Sequence, residues 1–197
     1  MSMSTAVPIF PVSTARARSG AIQRGQAAKD RQTARPWHSD RSFNAITSFS
    51  GTYRLKRVVK TPKLQFIDSG LLATLRDLDN AEIQRDRSRL GSILKTFTYG
   101  ELLKHATTAD RDYHLLYYCD VDQFEVDVVI ENAAGHLLGV EMKAAATVRD
   151  SDLRGLKKLA SVAGDQFKMG ILLYDGKETM PLGDGLWAAP LSSLWGR

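Results

Sequence analysis

Three charged residues stand where their types and spacing suit phosphoryl chemistry. Asp127 interrupts the apolar run "FEVDVVIE" (124–131), and Glu141 and Lys143 flank Met142 in "LLGVEMKAA" (137–145). Carboxylates are seldom buried unless paired or bound to metal, so charge inside two apolar runs needs a partner. Residues two apart on a strand project to one face, which sets Glu141 and Lys143 together. If the two runs form a hairpin with Asp127 opposite Glu141, two carboxylates converge on one point. Such a pair suits Mg2+, with Mn2+ as a substitute, because Mg2+ takes one or two carboxylates, waters and substrate phosphate oxygens. Lys143 would then hold an attacking water or offset charge on a pentavalent phosphate. The competing reading is a solvated sheet face on which Glu125, Asp127, Glu131, Glu141 and Lys143 meet only water. Glu101, on a preceding helix, is either a fourth member of the cluster or a surface glutamate paired with Lys104 or His105.

The elements that must position these residues follow from periodicity. Strands are expected at "YHLLYYC" (113–119), at 124–131 and at "LLGVEMKAA", with "NAAGH" as the turn between the last two. In 124–131, Phe124, Val126, Val128 and Ile130 share one face by simple alternation. A helix precedes them, with Ile93, Leu94, Phe97, Leu102 and Leu103 at amphipathic spacing. A second helix follows, capped by Asp150 or Ser151, with Leu153, Leu156, Leu159 and Val162 apolar. "KMGILLYDG" (168–176) reads as a covered central strand. Upstream, "KLQFID" is β-rich. Asp68 or Ser69 caps a short helix with Leu71, Leu72, Leu75 and Leu78 on one side. Residues 81–90 are a polar loop or loose helix, and "PLSSLW" is a short terminal helix. The fold class is α/β (α+β), a mixed central sheet flanked by helices.

Length and charge bound the rest. The 197 residues suffice for one core of ordinary size. A weakly ordered basic segment is expected over 1–48, and one domain over 49–197. Residues 1–60 hold 11 basic and 2 acidic side chains, and residues 61–197 hold 16 and 20, so the net +5 belongs to the front of the chain. The stretch "RLKRVVKTPK", with Arg54, Lys56, Arg57, Lys60 and Lys63, offers phosphate contacts to DNA. No run approaches the roughly 20 apolar residues of a membrane span, and no secretory signal is legible. The single Cys119 fits a reducing cytoplasm. Without a G-x-x-x-x-G-K-[ST] or G-x-G-x-x-G, there is no ATP site in this chain. His38, His105, His114 and His136 have no metal-ligand spacing.

Five segments in order carry a resemblance. They are "LKRVVKTPKLQFIDSGLLATL", "KTFTYGELLKH", "LYYCDVDQFEVDVVIE", "GVEMKAAATVRDSDLRGLKKLA" and "ILLYDGKETMPLGDGLWAAPLSSLW". Together they are similar to the uncharacterised C-terminal domain of predicted AAA-type ATPases of bacteria and archaea, over residues 54–196. The resemblance implies a restriction-endonuclease-like core of the PD-(D/E)xK type. In it Asp127 matches the motif aspartate, Glu141 and Lys143 the E-x-K, and Glu101 the helix glutamate. It also implies an ATPase domain, which this chain lacks and which would act in trans. Lys95 stands where the family usually has an acidic residue, and Gln123 and Phe124 where it has a Gly-containing turn.

The expected function is therefore a nuclease-like accessory domain, with metal-dependent phosphodiester hydrolysis of DNA. Mg2+ would be held by Asp127, Glu141 and the Met142 carbonyl. Lys143 would assist the water, and Glu101 would order the site. The alternatives are a non-catalytic nucleic-acid or protein interaction module, and a truncated remnant of the ATPase gene with exposed apolar faces.

Overall fold

The structure is a computed structural model. It describes residues 43–48 (backbone only), 63–120 and 122–196. Most of the segment 1–48, and the basic residues Arg54, Lys56, Arg57 and Lys60, lie outside the described residues.

Three strands run antiparallel as a meander: β3 (Tyr113–Cys119), β4 (Glu125–Asn132) and β5 (Leu137–Lys143). The β4–β5 turn is held by the Asn132 carboxamide, which accepts from the N–H groups of Ala134 (2.9 Å) and His136 (3.0 Å). After β5 the chain makes a 3-10 turn (Asp150–Leu153), then α4 (Arg154–Ala163), and returns as β6 (Phe167–Tyr174) parallel to β5. A helical crossover is the usual way to join parallel neighbours. β8 (Leu186–Pro190) lies parallel to β6, and β7 (Met180–Gly183) closes that edge antiparallel to β8. At the other edge, β1 (Phe43–Ser48) pairs parallel to β3 and antiparallel to β2 (Lys63–Phe66). The strand order is β2-β1-β3-β4-β5-β6-β8-β7: six mixed strands, β3 to β8, extended by β1 and β2.

Helices cover both faces. α3 (Leu90–Thr108) buries Tyr99 and Leu102 against Tyr117, Val128, Ile130, Val140, Met142, Ile171 and Leu173. α4 buries Leu156, Leu159 and Ala163 against Val126, Val129, Leu137 and Leu172. The contact of α4 with the sheet is unusually close. A Cβ at Gly155 would lie 1.9 Å from the Glu125 carbonyl oxygen, so only glycine admits the helix at that point.

Several elements depart from the sequence reading. β1 lies inside the stretch expected to be weakly ordered. The pair β7–β8 was not anticipated. Pro181 is tolerated because β7 is an edge strand, and Asp184 (φ 51°) and Gly185 (φ 74°) make the left-handed two-residue turn between them. The short helix α1 (Ser69–Leu75) is capped by Asp68, whose Oδ1 accepts from Leu71 N–H at 2.9 Å. Its expected apolar side is largely uncovered: Leu71 and Leu75 are exposed, and Leu78, buried, lies past the helix end. Residues 80–89 form α2 (Asn80–Arg85) and a 3-10 turn. The cap expected at Asp150 or Ser151 is instead the 3-10 turn, where Asp152 accepts from Arg149 N–H at 3.0 Å. Val162 is exposed, and Ala163 takes the buried place.

Candidate functional site

The position of Asp127 is set by a bulge. Leu116 pairs with Val129 and Tyr118 with Val126, so three steps of β4 oppose two of β3. The extra residue breaks the expected alternation: Val126 packs toward α4, while Val128 and Ile130 pack toward α3. Bulges of this kind re-aim a side chain. Asp127, only 4% exposed, lines a cleft of about 270 Å³ on the α3 side, with Lys63, Gln65, Lys95, Thr96, Tyr99 and Met142. This burial removes the solvated-face reading for Asp127.

Asp127 and Glu141 meet where the β4–β5 ladder ends. The last ladder pair is Val128 with Val140. One residue further, side chains replace the main-chain bonds. The Asp127 carboxylate accepts from Met142 N–H at 3.2 Å, and the Glu141 carboxylate accepts from Asp127 N–H at 3.2 Å. Burial, with the Asp127 charge beside it, pushes the Glu141 carboxyl up to about 8. Glu141 and Lys143 line a second cleft, about 480 Å³, on the α4 side, with Phe124, Glu125, Asp152, Arg154 and Gly155.

Each nearby cation has a partner. Lys95 of α3 reaches Asp127, Nζ to Oδ1 at 2.5 Å. Burial opposes its charge, but the carboxylates of Asp127, Glu141 and Glu125 outweigh burial and hold its pKa above the ordinary lysine value. Lys143 is bound to Asp152 at 2.5 Å, which fixes it against the turn before α4. Lys63 pairs with Glu125. Burial alone would raise the Glu125 pKa, but Lys63 and Lys95 hold it below the usual range.

Between β3 and β4, a tight turn is built on the buried Asp120. Its Oδ1 accepts from Asp122 N–H (3.0 Å) and Phe124 N–H (2.9 Å). This presents the Phe124 ring to α4, where Arg154 lies 5.1 Å and Lys158 5.4 Å from the ring centroid.

Residues 90–194, from the start of α3 through Leu194 in the final 3-10 turn, match the model of a family described as Domain of unknown function (DUF4143). The chain belongs to that family. No curated protein matches the chain. The DUF4143 match takes in Lys95, Asp127, Glu141, Lys143 and Asp152, and so contains the whole cluster.

In the DUF4143 domain the structure ties Asp127 to Glu141 and to Met142 N–H, sets Lys143 beside Glu141 in the cleft on the α4 side but not in the Asp127 cleft, and does not bring Glu101 to any of them. Glu101 accepts from Lys104 Nζ at 2.5 Å and from Trp195 Nε1 at 3.3 Å, toward the C-terminal turn. The α3 residue that does reach Asp127 is Lys95, six positions earlier. Sequence reasoning registered Lys95 only as a missing carboxylate. Asp152, which holds Lys143, was missed. Its one signal was the acidic start "RDSD" before the apolar period of α4.

The donor set can be tested against Mg2+. Two hard carboxylate donors and a main-chain segment at one point suit the ion. Among the described residues no group of three or more His, Cys, Asp and Glu side chains is placed to hold a metal, so waters and substrate oxygens would have to complete its shell. The residues fit on that condition, provided Lys95 leaves Asp127. Among the described residues, no helix is long and apolar enough to cross a membrane.

Proposed function

We propose that this chain carries a restriction-endonuclease-like core, and that Asp127, Glu141 and Lys143 form a cation-dependent site for cleaving a phosphodiester of DNA. It would act as a nuclease-like accessory to an AAA-type ATPase supplied by another chain. The observation that carries this reading is the reciprocal bonding of Asp127 and Glu141 at the parting ends of β4 and β5, with Lys143 two residues on. The order α3, three antiparallel strands, α4 and a parallel strand supports it as well.

Asp127, Glu141 and the Met142 carbonyl would hold Mg2+ or Mn2+. When bound, such an ion lowers the pKa of its water and polarises the phosphoryl oxygen. The chain's own residues supply the rest. Burial and the Asp127 charge raise the Glu141 carboxyl and so favour its protonated form, and an arriving positive charge opposes that rise. Lys143, directed by Asp152, stands in the same cleft as Glu141 and places an ammonium where charge develops on the phosphate. Arg154 adds a guanidinium to that cleft, suited to phosphate oxygens. The single Cys119 fits work in a reducing compartment.

One observation favours the second reading, a non-catalytic nucleic-acid or protein module: Lys95 already neutralises Asp127. A single experiment separates the two. The full chain is incubated with DNA and Mg2+ or Mn2+, as wild type, Asp127→Asn and Lys143→Met. The nuclease reading expects cleavage that falls by about 100-fold or more in each variant. Equal cleavage in all three sinks it. DNA binding without cleavage, with an affinity that falls steeply with salt, supports the module.

A further inference from the structure

Asp127 has both carboxylate oxygens engaged: Oδ1 by the Lys95 ammonium at 2.5 Å and Oδ2 by Met142 N–H at 3.2 Å. The two donors differ in kind. Met142 N–H is fixed in β5. Lys95 ends a flexible side chain that is 42% exposed and enters through the cleft between β2 and α3. The ammonium therefore stands between solvent and a carboxylate that is otherwise closed off on this side.

A divalent cation on Asp127 would sit about 2.1 Å from a carboxylate oxygen. An ammonium 2.5 Å from Oδ1 would then lie within a few ångströms of it, in a setting where like charges repel strongly. The two cations exclude one another. Lys95 sits at the end of a long side chain that is 42% exposed, and it has somewhere to go. Its charge already interacts with Glu125, which lies beside the same strand end and is shared with Lys63.

We propose that Lys95 is a displaceable internal counter-ion, which occupies Asp127 in the free protein and competes with a divalent cation for it. The proposal rests on the reading of Asp127 and Glu141 as a cation site, and it adds a control built into α3. Loading of the site then requires Lys95 to swing away, toward Glu125 or onto a phosphate of the incoming nucleic acid. Metal and phosphodiester are bound more strongly together than separately.

The test is calorimetric titration of the full chain with MnCl2, in wild type, Lys95→Met, Lys95→Arg, Asp127→Asn and the double variant Lys95→Met/Asp127→Asn. Lys95→Met keeps the length and removes the charge, and it should bind Mn2+ about tenfold more tightly than wild type. Lys95→Arg keeps the charge and should stay near wild type. The double variant should lose the gain. If Lys95→Met binds no more tightly than wild type, while Asp127→Asn abolishes binding in both, Lys95 is no competitor and the cation site itself stands. If neither wild type nor Lys95→Met takes up Mn2+, both the competition and the cation site fall. Should Lys95→Met fail to fold, the wild-type chain still decides. The NMR resonance of the Lys95 Cε methylene in its ion-paired position should give way to a shifted one as Mg2+ saturates the site. A signal that persists while Mg2+ binds overturns the proposal.

Discussion

Asp127 and Glu141 are tied to each other's strands: the Glu141 carboxylate accepts the Asp127 N–H, and the Asp127 carboxylate accepts the N–H next after Glu141, each at 3.2 Å. The clasp stands in for ladder bonds at the point where β4 and β5 part. It also forces two acidic groups into one partly dry place, which raises the Glu141 carboxyl, while the Lys95 ammonium offsets the charge on Asp127.

The raised Glu141 carboxyl gives a pH signature. It is raised from 4.5 to about 8, chiefly by burial and then by Asp127. The native state therefore binds a proton that the unfolded chain has released between those two values. Its contribution to stability is fully present below about 4.5 and is lost as pH rises through about 8. Glu141→Gln, which keeps the acceptor for Asp127 N–H, should remove this loss. Urea unfolding across the range should show the variant gaining about 2–4 kcal/mol on wild type between the acid and alkaline ends. Parallel pH profiles would show that Glu141 titrates normally.

Asp127→Ala strands Met142 N–H without an acceptor and leaves Lys95 unpaired, but it relieves the repulsion on Glu141. Lys95 is half-exposed and can return to water, so the cost falls below that of a fully buried pair. A loss of about 1–3 kcal/mol in chemical denaturation is expected, with Asp127→Asn losing about half as much. An unchanged midpoint for Asp127→Ala would mean that the clasp holds nothing together.

Two glycines, one on each of the helices that cover opposite faces of the sheet, should respond in opposite directions. Gly155→Ala drives a methyl to 1.9 Å from the Glu125 carbonyl oxygen, so α4 must lift from β4. The expected loss is about 3 kcal/mol. Gly91, at the start of α3, has nothing within 4 Å of a would-be Cβ. Gly91→Ala should gain about 0.5–1 kcal/mol through helix propensity and a less disordered unfolded chain. Thermal melts of the two variants check both signs at once.

The Asp120 turn is a second structural keystone. Asp120→Ala removes the acceptor for Asp122 and Phe124 N–H and the counter-charge 3.8 Å from Lys158, at a cost of about 2–3 kcal/mol. Gln123, at φ 62°, is left-handed. Gln123→Val should cost about 1–2 kcal/mol, because a β-branched residue resists that region. Gln123→Gly should stay within about 0.5 kcal/mol of wild type. Equal melting of the Val and Gly variants would show the turn to be unstrained.

Sequence periodicity made the helix, the three strands, the second helix and the covered strand legible as elements, but not every face: α3 buries Tyr99 and Leu102 while the expected Ile93, Leu94 and Phe97 are only half-buried, and β4 and β6 are covered on both sides. It also set Glu141 and Lys143 on one side, since the period of a strand is two. The β7–β8 hairpin carried a readable cue in Asp184–Gly185 between short runs, but Pro181 and Pro190 obscured it. The order of strands in the sheet was not legible, since β1 joins β3 and β8 joins β6 only across long separations in the chain.

By itself the sequence determined which residues carry charge into apolar strands, and that one hairpin register would bring Asp127 to Glu141. Tertiary structure alone decided what those charges meet. One extra residue in β4 turned Asp127 toward α3, and alternation cannot show a bulge. The packing of α3 on the sheet brings Lys95 rather than Glu101 to that carboxylate, and the turn before α4, which sits close to β4 at Gly155, brings Asp152 to Lys143. These pairings depend on distances between elements far apart in the chain. No local pattern encodes them, because packing of the two cores sets where each helix lies.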